Sequence, residues 1–199
     1  MKNKHVMVLS SLFIVLTLLI LFNLTVGIDT YIYEKIALLI NENLTTTIIF
    51  ITDICSILTS VIIALIVALV LIKSKKIKTL KIFTLTLVIG NVLNFLLKIL
   101  IARQRPDILQ LVVESTKSFP SGHAYISTLL YGLIMILINK YTKNKYKYFM
   151  LTIYIIFILL IGFTRIYLGV HYFTDILGGY LFGTITLLIV YPLLMNTKD

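Results

Sequence analysis

Cysteine and charge are both scarce in this sequence. Its 199 residues include one cysteine, Cys55, so an intramolecular disulfide is excluded and no cluster of cysteines can bind zinc. Charged residues make up 13% of the chain, well below the share of about a quarter in soluble domains. Hydrophobic residues make up 59%, and the mean hydropathy is +1.04. This balance excludes an ordinary soluble domain and indicates a membrane protein.

Six apolar runs are long enough, or nearly so, to cross a bilayer, which takes about 20 residues in a helix. They cover residues 6–26, 54–72, 82–97, 124–138, 148–164 and 176–195. We therefore expect an all-α, polytopic membrane protein, with six transmembrane helices in one bundle and a single domain over residues 1–199. The first run is interpreted as an uncleaved anchor rather than a signal peptide, because it is long and lacks a clear small-residue cleavage site.

The positive charges indicate the topology. Residues 73–81 and 139–148 hold nine lysines and no acid, and with Lys2, Lys4 and Lys198 one side of the membrane carries 12 of the 18 cations. The positive-inside rule assigns that side to the cytoplasm, and an even number of spans places both termini there. The net charge of +10 is thus a topology signal, and nucleic acid is not an expected partner.

Polar residues from three segments are expected to meet at the extracytoplasmic side. Lys98, Arg105 and Arg165 provide fixed cations for a multiply charged anion, and the planar fork of arginine matches phosphate. The stretch "PSGH", residues 120–123, begins a helix. It offers the Ser121 hydroxyl and free backbone N–H groups at a positive helix end, where Gly122 lets the backbone come close. These features predict a phosphate site.

Two histidines supply the groups for phosphoryl transfer without a metal. His171 and Asp175 are four residues apart, so they share one face if the segment is helical. Asp175 can then hold one imidazole N–H and leave the other nitrogen free to attack phosphorus. His123 can protonate the departing oxygen. We therefore predict a phosphohistidine intermediate and no cofactor.

The same residues resemble the motifs of the type 2 phosphatidic acid phosphatase (PAP2) family. "KILIARQRP" (98–106) is similar to K-x6-RP, "PSGH" to the second motif, and "TRIYLGVHYFTD" (164–175) to SR-x5-H-x3-D, with Thr164 in place of the usual serine. The resemblance implies a helical transmembrane bundle that acts on lipid phosphates, with His171 as nucleophile, Asp175 as its partner and His123 as acid–base. It also implies phosphate ligands at Lys98, Arg105, Ser121, Gly122 and Arg165, and the Thr164 hydroxyl can still donate to phosphate.

Several alternatives stay open at this level. Undecaprenyl pyrophosphate is the first substrate that we expect, followed by phosphatidylglycerophosphate and phosphatidic acid. An anion or lipid transporter is a distant alternative, which would predict internal repeats and interrupted helices. A monomer in the bilayer is expected to suffice.

Three structural expectations accompany the functional ones. Arg103 is interpreted equally as an interfacial anchor or as a contact at the rim of the phosphate site. Within residues 27–53, the pattern "IDTYIYEKIALLI" (28–40) is interpreted as an amphipathic helix on the outer surface. The G-x3-G pair, Gly179 and Gly183, is expected to pack against the helix that bears His123.

Overall fold

The fold is a bundle of helices. The structure, a computed structural model, describes residues 2–107, 109–142 and 145–199, with side chains from residue 4 onward. These residues form eight helices: α1 (Lys2–Leu21), α2 (Val26–Ala37), α3 (Glu42–Asp53), α4 (Ile57–Lys73), α5 (Ile77–Ile101), α6 (Gly122–Tyr141), α7 (Lys147–Tyr167) and α8 (Phe173–Asn196). By length and composition, six segments of the described chain could cross a membrane: α1, α3 with α4 as one segment, and α5 to α8. The prediction of an all-α, six-span membrane protein is confirmed.

The segment between the first two apolar runs differs from the prediction. It forms two helices, α2 and α3, and α3 extends the second span to Glu42–Lys73. Helix α2 packs against α7 and α8, and its Asp29 is 1% exposed. A helix therefore forms over most of residues 28–40, as α2, but it packs against the bundle. An acid suggested a water-facing side of this helix, whereas Asp29 is buried against a cation.

Close packing between α6 and α8 depends on two glycines of α8. A Cβ atom added at Gly179 would lie 2.7 Å from the Ser121 carbonyl oxygen, and one added at Gly183 would lie 2.8 Å from Cβ of Thr128. Both distances are shorter than a side chain tolerates, so glycine is what allows the helices to approach. The predicted packing of this pair against the helix that bears His123 is confirmed.

The outer faces of the bundle are apolar and uncovered. Leu65 on α4 and Val88 on α5 are 58% and 56% exposed. Helix α1 packs along α8, where the Phe13 ring lies 5.8 Å from the rings of both Phe119 and Phe182. Apolar surface of this extent on helices of spanning length suits contact with lipid tails. The protein is thus a multi-pass membrane protein.

Two connections bring the polar ends of α5 to α8 together. Helix α5 ends at Ile101, and its C-cap residue Ala102 turns the chain with a φ of 52°. The Ser118 N–H then donates to the Arg103 carbonyl at 2.9 Å. Between α7 and α8, Gly169 has a φ of 69°, and a Cβ atom there would collide with the carbonyl oxygen of Leu109. The connection from α5 to α6 is therefore held against the turn that leads into α8.

Candidate active site

His171 and Asp175 form a buried pair at the start of α8. His171 lies two residues before the helix, which begins at Phe173, and Asp175 lies in its first turn. Nδ1 of His171 is 3.4 Å from Oδ2 of Asp175, and the side chains are 2% and 0% exposed. The structure brings the two together through the turn before the helix, and not along one helical face as the spacing suggested.

Two further donors fix the Asp175 carboxylate. The backbone N–H of Tyr172 donates to Oδ2 at 2.9 Å, and the Ser118 hydroxyl donates to the same oxygen. The Ser118 oxygen also lies 3.3 Å from Nδ1 of His171. Sequence analysis missed Ser118, although it stands two residues before "PSGH". Its hydroxyl helps to hold the carboxylate and the imidazole in one arrangement.

Arg105 lies on the other side of the imidazole. Its Nη1 is 3.3 Å from Nε2 of His171 and donates to the Val170 carbonyl at 2.7 Å, while its Nε donates to the Thr116 carbonyl at 2.7 Å. With the Nδ1 proton facing Asp175, Nε2 accepts from Arg105. These contacts orient the ring with a lone pair toward the guanidinium.

The surroundings of His171 favour a neutral ring. Burial, together with the nearby charges of Arg105 and Lys98, holds the pKa of His171 well below its ordinary value. Both effects penalise the imidazolium and leave the neutral form unaffected. At neutral pH the ring therefore keeps the lone pair that a nucleophile needs.

Arg165 is 2% exposed and makes two contacts. Nη1 donates to the Thr52 hydroxyl at 3.0 Å, and Nη2 pairs with the Glu114 carboxylate. Its Nε is buried and has no hydrogen-bond partner among the described residues. The second carboxylate oxygen of Glu114 is 3.7 Å from Nη2 of Arg105. One carboxylate thus joins the two guanidinium groups, and the sequence gave no sign that Glu114 belongs to this cluster.

Thr164 faces the interior of the bundle. It is fully buried, and its hydroxyl lies 2.7 Å from the Ile161 carbonyl and 3.1 Å from the Thr52 hydroxyl. These contacts hold it next to the residue that also binds Arg165. A direct contact between Thr164 and phosphate stays a prediction.

Lys98 completes the set of cations. It is 7% exposed, and its Nζ donates to the carbonyls of Lys117 at 2.7 Å and Ser118 at 3.3 Å. The ammonium group is therefore anchored below the same loop that carries Ser118. This position keeps a positive charge near the His171 ring.

A pocket of about 420 Å³ opens beside these cations. Lys98, Arg105 and Glu114 contribute to its polar wall. Phe95 and Ile99, each 55% exposed on α5, form an apolar edge. A pocket that is charged inside and apolar at the rim fits a phosphate that is carried on a lipid.

The "PSGH" segment lies where the prediction placed it, at the start of α6. Ser121 is the N-cap residue, its backbone N–H donates to the Asp175 carbonyl at 3.0 Å, and Gly122 opens the helix. His123 follows in the first turn and is partly buried. Since Ser121, two residues earlier, bonds to the Asp175 backbone, this turn lies next to the start of α8, and the role of His123 as acid–base stays a prediction.

Arg103 pairs with two buried carboxylates. Its Nη1 is 2.6 Å from Oδ1 of Asp175, and its Nη2 is 2.7 Å from Oδ2 of Asp29. The interpretation as an interfacial anchor is wrong, whereas these contacts do not test a contact at the rim of the phosphate site. The pairing was not expected because Asp29 stands 74 residues away in the chain, so no local pattern connects the two.

The donor set of the site differs from that of a metal centre. Within residues 2–107, 109–142 and 145–199, no group of three or more His, Cys, Asp or Glu side chains is placed to hold a metal ion. The charged groups around the His171 ring are mainly cations. They suit an anion.

The fold and the site define a multi-pass membrane protein with a His–Asp pair next to a pocket of lysine and arginine. A sequence model of the PAP2 superfamily matches residues 79–199, and the chain belongs to this superfamily. All of the residues that carried the resemblance lie within the matched range. The expectation of a PAP2 family member is confirmed.

One protein of known sequence and two solved structures are similar to this chain, each over a different share of its length. Phosphatidylglycerophosphatase B of Bacillus subtilis (strain 168) is 39% identical over 102 residues, 50% of this chain and 50% of that protein, so the match spans about half of the curated relative. The crystal structure of the first transmembrane PAP2 type phosphatidylglycerolphosphate phosphatase from Bacillus subtilis has a TM-score of 0.91 and 28% identity, with 97% of both chains covered. The crystal structure of Aquifex aeolicus LpxE, at TM-score 0.63 and 24% identity over 82% of this chain and 94% of that one, shares the fold.

Proposed function

We propose that the protein is a membrane lipid phosphatase that removes the terminal phosphate of phosphatidylglycerophosphate through a phosphohistidine intermediate. The observation that carries the proposal is the His171–Asp175 pair, whose second ring nitrogen faces Arg105 beside a cationic pocket. The reaction would release phosphatidylglycerol and inorganic phosphate. A site of this kind, in a PAP2 fold, needs only its own side chains to perform the transfer.

The first step is attack of His171 on phosphorus. Asp175 holds the Nδ1 proton, and the Nε2 lone pair forms the new bond while the bond from phosphorus to the lipid oxygen breaks. Arg105, Arg165 and Lys98 stabilise the charge on the phosphoryl oxygens. His123 donates a proton to the departing oxygen. The products of this step are the lipid alcohol and a phosphorylated imidazole.

The second step returns the enzyme to its starting state. Water attacks the phosphorus, His123 accepts a proton from that water, and the bond to Nε2 breaks. Inorganic phosphate leaves, and the ring is neutral again with its proton on Nδ1. The Asp175 carboxylate stabilises the positive ring while the intermediate exists.

The comparisons favour phosphatidylglycerophosphate over the substrate that the sequence suggested first. The relative that is 39% identical bears the name phosphatidylglycerophosphatase B. The structure that matches along 97% of the chain is described as a phosphatidylglycerolphosphate phosphatase. Undecaprenyl pyrophosphate, our first expectation, has no comparable support and becomes the competing substrate in the test.

The distribution of lysines supports a site that faces away from the cytoplasm. The lysine-rich linkers join the ends of helices opposite to those that carry His171 and His123, and cytoplasmic loops are enriched in lysine and arginine. We therefore propose that both termini are cytoplasmic and that the site acts on the outer leaflet.

The decisive experiment is phosphate release by the purified protein in detergent with EDTA. Phosphatidylglycerophosphate, undecaprenyl pyrophosphate and phosphatidic acid are offered separately to the wild type, to His171→Ala and to His5→Ala, a matched control at an exposed position of α1. We expect release by the wild type and the control, none by His171→Ala, and the largest kcat/KM for phosphatidylglycerophosphate.

Each other outcome removes a specific part of the proposal. Full activity of His171→Ala would overturn the phosphohistidine route. A larger kcat/KM for undecaprenyl pyrophosphate would overturn the substrate assignment. No release from any of the three lipids would overturn the phosphatase function itself.

A further inference from the structure

Arg103 lies between two buried carboxylates outside the phosphate pocket. Nη1 is 2.6 Å from Asp175 and Nη2 is 2.7 Å from Asp29, and both acid side chains are 0% exposed while the arginine is 12% exposed. The planar guanidinium can present its two ends to two separate acceptors in a fixed geometry. The three side chains therefore form one ionic chain that leads from α2 to the first turn of α8.

Asp29 is itself tightly held. Its Oδ1 accepts from the Thr174 backbone N–H at 2.9 Å, and its Oδ2 accepts from the Thr174 hydroxyl at 2.8 Å. Thr174 is the immediate neighbour of Asp175, so Asp29 fastens α2 to the catalytic turn of α8. Each oxygen of this buried acid has a donor, as burial of a charge requires.

Further contacts fix the Arg103 guanidinium, through its planar face and through its Nη atoms. Its central carbon lies 4.2 Å from the centre of the Tyr172 ring, a distance at which a cation and a ring attract each other. Nη2 donates to the Thr25 hydroxyl at 3.3 Å, and Nη1 to the Thr174 hydroxyl at 2.8 Å. Together these contacts hold the Arg103 side chain in a single conformation.

The two carboxylate oxygens of Asp175 contact different partners. Oδ1 accepts from Arg103, and Oδ2 faces Nδ1 of His171 and accepts from Ser118. Because one oxygen is held by the guanidinium, rotation of the carboxylate about its own bond is blocked. The other oxygen then stays toward the imidazole, and this selects the ring nitrogen that remains free for attack.

We propose that Arg103 and Asp29 are positioning residues of the reaction: Arg103 orients Asp175, and Asp29 orients Arg103. The inference rests on the proposed function, because it assigns a role within that chemistry. The guanidinium of Arg103 is occupied by the carboxylates of Asp29 and Asp175, so we assign it to holding Asp175 rather than to binding the phosphate. Asp29 holds Arg103 and also the Thr174 residue next to Asp175, and the proposal assigns its effect on the histidine to the contact with Arg103.

The test compares four variants on phosphatidylglycerophosphate: Arg103→Gln, Arg103→Lys, Asp29→Asn and the double variant Asp29→Asn/Arg103→Gln. Loss of an outer partner of this kind reduces activity by about 10- to 100-fold. We expect Arg103→Gln to lower kcat within that range while KM changes by less than about threefold, because the guanidinium is engaged by two carboxylates. The matched control is Glu34→Gln, which replaces an exposed acid on α2, the helix that carries Asp29. Its kcat and KM should equal those of the wild type.

The double variant shows whether the two residues act in series. If Asp29 works through Arg103, Asp29→Asn lowers kcat in the wild type but by less than about twofold in the Arg103→Gln background, because coupled residues are not additive. Additive losses would overturn the series arrangement. A rise in KM at constant kcat, or an unchanged kcat in Arg103→Gln, would overturn the positioning role.

Arg103→Lys tests the positioning role if the variants Arg103→Gln and Asp29→Asn do not fold. Lysine retains a cation between the two carboxylates but lacks the planar guanidinium that reaches both of them. We therefore expect a folded protein with a lowered kcat and a normal KM. Wild-type kcat in a folded Arg103→Lys protein would overturn the proposal. Failure of the proposed function is distinct, because there the wild type itself would release no phosphate.

Discussion

Replacing Glu114 by glutamine changes the anion affinity of the site in a direction that can be worked out. Glu114 pairs with Arg165 and lies 3.7 Å from Arg105. A phosphate that binds both guanidinium groups must displace this carboxylate. Glutamine keeps the shape and one acceptor oxygen but removes the charge. We therefore expect Glu114→Gln to bind phosphate-like anions more tightly than the wild type does.

The size of the effect follows from the two contacts. A hydrogen bond between charged groups contributes about 1.5–3 kcal/mol, and a neutral acceptor keeps roughly half of that. The contact to Arg105 adds little, because its 3.7 Å separation is too long for a hydrogen bond and loose ion pairs contribute only about 0–1 kcal/mol. The relief is thus about 1–2 kcal/mol, which corresponds to a Kd lower by about 5- to 30-fold.

Isothermal titration calorimetry with orthovanadate, a stand-in for phosphate, measures this Kd in detergent. Glu34→Gln is again the control, since it removes the same charge from an exposed position on α2. A Kd within about twofold of the wild type would refute the idea that Glu114 competes with the anion. A weaker Kd would show that Glu114 instead keeps Arg165 in its binding position.

Three further predictions address the bundle and the nucleophile. Thr164→Ser keeps the hydroxyl that contacts the bundle interior, so phosphate release should stay within about twofold of the wild type, and a large loss would contradict this. Gly183→Ala places a Cβ 2.8 Å from Cβ of Thr128, which should destabilise by about 1–3 kcal/mol and lower the thermal unfolding temperature in detergent, whereas Gly27→Ala, with open space around it, should not. The His171 pKa is depressed, so its ring should stay neutral as the pH falls through the ordinary value of about 6.5; a ¹⁵N NMR titration in which the His171 signals, assigned through His171→Gln, move at that pH would contradict the description of the site.

The spans and the members of the site were predictable because their signals are local. Apolar runs mark helices of spanning length wherever they stand, and the motif residues follow one another at fixed spacing at the ends of those helices. Packing of Gly179 and Gly183 was predictable for the same reason, since a four-residue spacing places both on one face. Each of these features can be recognised within a short window of sequence.

The residues that sequence analysis missed act through contacts between distant segments. Asp29 meets Arg103 across 74 residues, and Glu114 meets Arg165 across 51. Neither acid differs in its local pattern from an acid that faces water, so nothing in the sequence marked either one as buried or paired. A buried charge can be recognised only when its partner is known, and the partner is fixed by the fold.

These missed acids explain how the imidazole of His171 is polarised. On the Nδ1 side stand Asp175 and, behind Arg103, Asp29, two carboxylates against one guanidinium. Arg105 stands on the Nε2 side, and Lys98 and Arg165 add positive charge near the ring. The single carboxylate of Glu114 pairs with Arg165 and lies 3.7 Å from Arg105. Negative charge attracts the ring proton to Nδ1, and positive charge leaves Nε2 as the acceptor. In the proposed mechanism the same positive charge also binds the phosphate, so the field that favours this tautomer would place the substrate in front of Nε2.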